Sequence, residues 1–259
     1  MINFLCERYH ANIHLEGGEI FLQEHLIQAL RNLKSEYRKC VVITSNGMLC
    51  SKDSVTLDVL KSINCLRISV EGHNEELHKR VRGCSIGHVL GNAAFYRSKG
   101  IDVVLRITLN RLNMDQMFSR VIPSLMDEGF HKFQIYEMQA VGNGACSDLC
   151  INHGLESFFE DWIHNPTAGQ VRVSLAARRI DEAEKYVNPL QEIGITMKRV
   201  GKEASISIGA DGAVRICAWD MYSKPLINLG NHNFEDLCAI IDHQKKQHIC
   251  EYCTKLVLY

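Results

Sequence analysis

Short apolar runs alternate along this chain with stretches of helical spacing, and each run stops at a turn. Cys40 to Thr44, Cys65 to Val70, Val103 to Leu109 and Lys132 to Met138 are runs of strand length. Between and around them lie helical patterns. Leu22 to Leu33 places Leu22, Leu26, Ala29, Leu30 and Leu33 at helical intervals, and Val55 to Ile63, Glu75 to Gly83, Ile86 to Lys99 and Asp115 to Glu128 continue the series. Strands that alternate with helices in this way predict a parallel sheet with helices outside, either open or closed into a barrel. In such folds the carboxyl ends of the strands build the site. Five strand-to-turn junctions are expected, after Glu16, Thr44, Val70, Leu109 and Met138.

The first junction is Glu16-Gly17-Gly18-Glu19, where a short β-branched run meets two glycines and an acid. Glycines there let the backbone take positive φ or pass close to a ligand. Taken alone, turn chemistry with a solvated acid explains the motif as well as a ligand site does. The second junction, Ser45-Asn46-Gly47, carries residues that tolerate a left-handed backbone.

Beyond Gly144 the pattern loosens. A helix is expected over Leu155 to Ile163, a strand over Val171 to Leu175 and a charged helix over Arg179 to Ile193. Ser205 to Ile208 and Ala213 to Cys217 flank Asp211-Gly212 as a hairpin signature. A loop at Leu229-Gly230-Asn231, a helix from Phe234 to Lys246 and Cys250-Glu251-Tyr252-Cys253 complete the chain. The change of style near Gly201 divides it into residues 1–200 and a small module, 201–259.

A formal net charge of −1, from 29 basic and 30 acidic residues, gives no charge surplus that would call for nucleic acid or an acidic membrane. The eleven cysteines are an odd number, so complete internal pairing is excluded. Met1 to His10 lacks the pattern of a signal peptide, and no apolar stretch is long enough to span a bilayer. A reducing cytoplasm is the expectation, with cysteines as core residues, metal ligands or nucleophiles. Cys40, Cys65 and Cys84 lie in or beside apolar segments and are read as core. Cys250-x2-Cys253 has the spacing of a metal half-site, and the hairpin can return Cys217 to it. Zinc, with His248 as a further ligand, and an iron–sulfur cluster are both compatible with that set.

The order of the motifs is more specific than any one of them. Gly17-Gly18-Glu19, Thr44-Ser45-Asn46-Gly47, Ile68-Ser69-Val70-Glu71-Gly72, His78, Arg82-Gly83, Arg106 to Asn113, the Asp211-Gly212 hairpin with Cys217, and the final cysteine pair occur in the succession that resembles radical SAM enzymes with a C-terminal SPASM or twitch extension. The resemblance covers nearly the whole chain. It implies a partial (β/α)6 TIM-like barrel followed by a SPASM/twitch-like module with an auxiliary [4Fe-4S] cluster on Cys217, Cys250 and Cys253. It implies that Gly17, Gly18 and Glu19 meet the amino group of the S-adenosyl-L-methionine (SAM) methionine. Ser69 and Arg106 then contact SAM, Arg106 at its carboxylate, with Asn46 at the cofactor's edge. A carboxylate facing an ammonium, and a guanidinium fork facing a carboxylate, are charge-assisted contacts suited to those tasks. The implied activity is reductive SAM cleavage and hydrogen abstraction from a peptide or protein, or from a small molecule, with a flavodoxin or ferredoxin as reductant.

Departures from the family pattern qualify the expectation. The family's Cys-x3-Cys-x2-Cys, which holds the cluster that reduces SAM, precedes Gly-Gly-Glu, but only Cys6 lies in the sixteen residues before Gly17. The sequence thus reads as an N-terminally truncated or degenerate member lacking the first barrel strand. Cys146-x3-Cys150-x2-His153 copies the spacing elsewhere, with histidine last. The alternatives are a non-catalytic relative that binds SAM or peptide and a zinc-stabilised structural domain. Glu71, where the family carries Asp, and Lys79 after His78 are smaller departures.

Overall fold

A computed structural model of the chain describes residues 1–138, 148–175, 177–200, 206–215, 224–244 and 255–258. Six strands, β1 (Ile13–Leu15), β2 (Val41–Ser45), β3 (Cys65–Val70), β4 (Val103–Leu109), β5 (Lys132–Glu137) and β6 (Gln170–Leu175), pair in sequence order, all parallel. They curl into a partial TIM-like barrel with helices on the convex side, as the alternation predicts.

Register decides which side chains face which way. A strand turns successive residues to opposite faces, and parallel partners in register share a face. Val41, Ile43, Leu66, Ile68, Val70, Leu105, Ile107, Leu109, Phe133, Ile135, Val173 and Leu175 all join the main hydrophobic core beneath the helices. The residues between them point into the barrel. Thr44 pairs with Arg67, Ser69 with Arg106, Arg106 with Gln134, Gln134 with Arg172, and Tyr136 with Ser174. The concave face is therefore polar, whereas a closed TIM barrel fills that space with branched apolar side chains. The period of two in β4, with alternate residues buried and half-buried, shows the split within one strand.

Two expected helices are broken, and proline explains both. Over Asp115 to Glu128 the chain forms a 3-10 turn (Met114–Gln116), a π-turn (Met117–Val121) and an α-helix (Ile122–Asp127). Pro123 has no N–H to donate back into the preceding turn and stands in the first turn of the last piece, and Asp161 accepts from the N–H groups of Phe118 at 2.6 Å and Ser119 at 3.2 Å. Arg179 to Ile193 divides into Ile180–Glu184 and Val187–Glu192, with Pro189 in the first turn of the second piece. Proline is tolerated there because first-turn N–H groups have no intrahelical partner.

Several elements are absent from the expectations above. The helix Ile2–Tyr9 precedes β1, and its signal is the spacing of Ile2, Leu5, Cys6 and Tyr9. Strand β7 (Met197–Val200) and the last strand, β11 (Lys255–Leu258), extend the main sheet, with β11 running antiparallel between β6 and β7. The predicted hairpin forms as β8 (Ser207–Ile208) and β9 (Ala213–Arg215), turned by Gly212 at φ 77°, and β10 (Ile227–Asn228) joins it. This small sheet and the helix Phe234–Gln244 share a core with the first helix. Leu5, Val214, Leu237 and Ile241 are buried together, and Phe4 meets Phe234 edge-on at 4.6 Å. Residues 2–9 thus bind the barrel to the hairpin, and the final strand of the 201–259 segment lies in the barrel sheet.

Gly47 shows how tightly the second junction is built. Its φ is 73°, and a Cβ there would stand 2.7 Å from both Ile68 Cγ2 and Val89 Cγ1. Left-handed backbone and overpacking add, so Gly47→Ala is expected to cost about 2–4 kcal/mol in urea unfolding.

Candidate functional site

The carboxyl ends of β1, β2, β3 and β4 enclose a cavity of about 160 Å³. It is lined by Glu16, Gly17, Glu19, Thr44, Ser45, Asn46, Ser69, Arg82 and Arg106. Gly17, Glu19, Asn46, Ser69 and Arg106 are the sequence-predicted residues that it brings together. Gly18 lies beside it but is not part of the lining.

Each predicted residue has a distinct local reason for its position. Gly17 takes φ 122°, which a side chain would strain, and nothing stands within 4 Å of where its Cβ would be. Gly18 has equal space and no left-handed backbone, so its lack of a side chain leaves room rather than shaping the turn. The Glu19 carboxylate clasps the second junction. Its Oε1 accepts from Ser45 Oγ at 2.9 Å and from Phe21 N–H at 3.2 Å, and its Oε2 accepts from Asn46 N–H at 3.0 Å. The Asn46 side chain accepts from Met48 N–H at 2.8 Å, which locks the turn and places Asn46 at the cavity edge by its backbone. Ser69 is buried in β3, in register with Arg106 on β4.

Glu16, Thr44, Ser45 and Arg82 line the cavity but were not among the predicted site residues, and Glu16 is the most consequential of them. Its carboxylate accepts from Thr44 Oγ1 at 3.3 Å and lies 3.4 Å from Arg106 and 3.6 Å from Arg67. One acid is thus shared by two guanidiniums. Arg106 also sits over the Tyr136 ring at 4.6 Å, and Arg67 reaches the Tyr136 hydroxyl at 3.3 Å. The signal was the parity of β1: Glu16 lies one step beyond Leu15, whose partner Ile43 faces the convex core.

A buried polar cluster stands behind the cavity. Glu71 Oε1 accepts from Arg82 Nε at 2.7 Å, from a second Arg82 nitrogen and from Thr108 Oγ1 at 3.1 Å, while its Oε2 is buried with no partner. Burial pushes the Glu71 carboxyl above its usual range, against the pull of Arg82. His78 is fully buried, and its Nδ1 accepts from the Glu71 N–H at 3.2 Å. That fixes the proton on Nε2, which faces Cys84 Sγ at 3.5 Å.

Burial first, and Arg82 second, hold His78 below the ordinary histidine value of 6.5, with Glu75 opposing. A histidine depressed in the folded state contributes stability that is complete above 6.5 and is lost as pH falls below it. His78→Asn keeps an acceptor for the Glu71 N–H. It is expected to flatten the fall in urea midpoint between about pH 7.5 and about pH 5.5. Glu71 titrates with the opposite slope in both proteins, so the difference between wild type and variant isolates His78.

The ligands expected for the auxiliary cluster, Cys217, Cys250 and Cys253, lie outside the described residues, as does Cys146. Cys150 is buried, and His153 Nδ1 faces the Gly154 carbonyl at 3.0 Å. Among the described residues no group of three His, Cys, Asp or Glu side chains is placed to hold a metal ion. Among them, too, no helix is long and apolar enough to cross a membrane. The cavity itself fits the amino-acid end of SAM, with a guanidinium, a serine and carboxylates around open space.

Comparison with known proteins agrees with the fold. The family model described as the radical SAM superfamily matches residues 2–120. A "Probable GTP 3',8-cyclase" of Saccharolobus islandicus (strain Y.N.15.51 / Yellowstone #2) is 26% identical over 135 residues, 51% of this chain and 43% of that protein. Streptococcus suis SuiB bound to its precursor peptide SuiA superposes with a TM-score of 0.65 at 12% identity, over 90% of this chain and 56% of SuiB. Native anSMEcpe with bound AdoMet and Kp18Cys peptide gives 0.58 at 15% identity, over 93% of this chain and 74% of that one. At such identities the solved structures share the fold, and the chain spans 43% of the curated relative and 56% of SuiB. The family model spans β1 to β4 with the Gly-Gly-Glu junction, so residues 2–120 of this chain are similar to the radical SAM superfamily.

Proposed function

We propose that this chain binds SAM in the cavity at the carboxyl ends of β1 to β4 and acts on a peptide or protein substrate held in the barrel. The observation that carries the reading is the convergence of Gly17, Glu19, Asn46, Ser69 and Arg106, from four separate junctions, on one cavity. In this reading the SAM ammonium lies against the Gly17-Gly18-Glu19 turn, where the Glu19 carboxylate is already oriented by Ser45 and Asn46. The SAM carboxylate takes Arg106, displacing the shared Glu16, which then serves Arg67 alone. Ser69 donates at the edge of the same pocket.

The family implies SAM and a [4Fe-4S] cluster, and a reduced cluster supplies the electron that cleaves SAM. The auxiliary cluster on Cys217, Cys250 and Cys253, and a flavodoxin or ferredoxin reductant, belong to the same proposal. Support for a peptide partner comes from the neighbours solved with SuiA and Kp18Cys peptides. A second reading is SAM binding without cleavage.

Titration calorimetry of the anaerobically purified chain with SAM tests the binding claim. Saturable binding that weakens in Arg106→Gln supports it, and absence of heat in the wild type overturns it. Addition of dithionite and an assay for 5′-deoxyadenosine then separates cleavage from binding alone.

A further inference from the structure

Arg82 lines the cofactor cavity, yet the proposed SAM contacts leave it without a task. It is the last residue of the helix Glu75–Arg82, which follows the β3 junction. A guanidinium has two edges that can pair with a carboxylate, one formed by Nε and a terminal nitrogen and one by the two terminal nitrogens. Glu71 takes the first edge. Its Oε1 accepts from Arg82 Nε at 2.7 Å and from Arg82 Nη2. Arg82 Nη1 has no hydrogen-bond partner among the described residues. The second edge is therefore open, on a side chain that is 32% exposed and stands at the cavity.

Glu71 holds that edge in place. Its side chain is buried, its Oε1 takes a third donor in Thr108 Oγ1 at 3.1 Å, and its N–H is bound by His78 Nδ1 at 3.2 Å. Register supplies a further donor. Ser69 pairs with Arg106 across β3 and β4, and Glu71 and Thr108 lie two residues further along those strands, on the same face. Ser69 is buried, lines the cavity and makes no hydrogen bond among the described residues through its side chain. Glu71 lies in the field of Arg106 as well as that of Arg82, so the two guanidiniums are near each other. Each has its own acid, Glu71 for Arg82 and Glu16 for Arg106. What the cavity offers a ligand is thus an open, oriented fork and an unpartnered hydroxyl, with no excess of charge invoked.

We infer that Arg82, oriented by Glu71, supplies a second guanidinium to the carboxylate of SAM alongside Arg106, with Ser69 donating to the same oxygen atoms. The inference rests on the SAM reading of the cavity. The two arginines act differently. Arg106 gives up Glu16 when the ligand carboxylate arrives, whereas Arg82 keeps Glu71 and offers its free edge. Glu71 is then a positioning residue, which fixes the fork before binding so that less side-chain freedom is lost on binding. A lysine at the same place keeps the charge but not the two-edged fork, so it cannot hold Glu71 and the ligand in the same geometry.

The test is titration calorimetry on the full, anaerobically purified chain, with SAM and with decarboxylated SAM as probes. Arg82→Gln is expected to weaken SAM about tenfold and to leave the decarboxylated analogue within about twofold of its wild-type affinity. Arg82→Lys is expected to stay about fivefold or more below wild type for SAM. Arg82→Gln leaves Glu71 as a lone buried acid, so the double variant Arg82→Gln/Glu71→Gln, which removes that charge, is run beside it and should show the same selective loss. Unchanged SAM affinity in either folded variant overturns the inference. So does equal weakening of SAM and the analogue, which is what a merely structural role produces, and so does full recovery in Arg82→Lys. Absence of SAM binding in the wild type brings down the cofactor reading as a whole, whereas SAM binding that ignores Arg82 brings down this inference alone.

Discussion

Arg106→Gln is expected to weaken SAM binding by about 10- to 100-fold, since a hydrogen bond between charged groups contributes about 1.5–3 kcal/mol and each 1.4 kcal/mol is tenfold. The loss is bounded from above because Arg106 is not idle in the free chain. It lies 3.4 Å from Glu16, and in the proposed complex the SAM carboxylate would replace that contact rather than meet a bare cation. The same geometry gives the opposite sign for Glu16→Gln. Removing the internal competitor leaves both Arg106 and Arg67 without a carboxylate, so SAM is expected to bind that variant more tightly than wild type. A SAM analogue lacking the carboxylate serves as the control. Its affinity should be indifferent to both substitutions, and equal changes for SAM and the analogue would refute the pairing of Arg106 with the ligand carboxylate.

Glu19→Ala is expected to have the second large effect, on stability and on binding together. The carboxylate accepts hydrogen bonds from Phe21 N–H, Ser45 Oγ and Asn46 N–H, and its loss leaves those donors to find water or remain unpaired. With unsatisfied donors costing about 1–3 kcal/mol each where water is excluded, and these only partly buried, a total of about 2–3 kcal/mol is the expected loss in urea unfolding. The clasp joins the first junction to the second, so its removal also frees the Asn46-Gly47 turn at the cavity edge. SAM affinity should fall in Glu19→Ala by more than in Asn46→Ala, because Asn46 lines the cavity through a turn that Glu19 holds. A Glu19→Ala protein with wild-type SAM affinity would show that the Gly-Gly-Glu turn is structural only.

The auxiliary-cluster proposal has its own check. Cys250→Ala is expected to lower iron and sulfide in the anaerobically purified protein. Zinc in place of iron would favour the zinc-stabilised reading, and unchanged metal content would remove Cys250 from the ligand set.

Much of the architecture was legible from local chemistry. The runs Val41–Ser45, Cys65–Val70 and Val103–Leu109 are strands within a residue or so of where composition places them, because a run of β-branched and apolar residues bounded by turns has few other solutions. Gly83, Gly100 and Gly129 stand past helices at φ 73°, 78° and 83°, the left-handed stop that glycine adopts without strain. The succession of motifs carried a resemblance that named five cavity residues in advance, and the parallel sheet brings them together because its strand ends of one direction reach the same side. The prolines at 123 and 189 were equally visible, and their effect on the expected helices follows from a missing N–H.

Tertiary structure alone decided the rest. Nothing near Glu16 in the sequence says that it will serve Arg67 and Arg106, which come from two later strands. Its role appears only when register sets the parity of three strands at once. The helix Ile2–Tyr9 had a readable period but no readable partner, and its core mates Val214, Leu237 and Ile241 lie more than two hundred residues away along the chain. Strand β11 is the sharpest case, since it enters the sheet between β6 and β7 and runs against β6. Short-range patterns fix what a segment can become, because propensity and periodicity act over a few residues. Which segments then share a hydrogen-bond ladder or a charge is set by the curled geometry of the whole sheet, which no local pattern encodes.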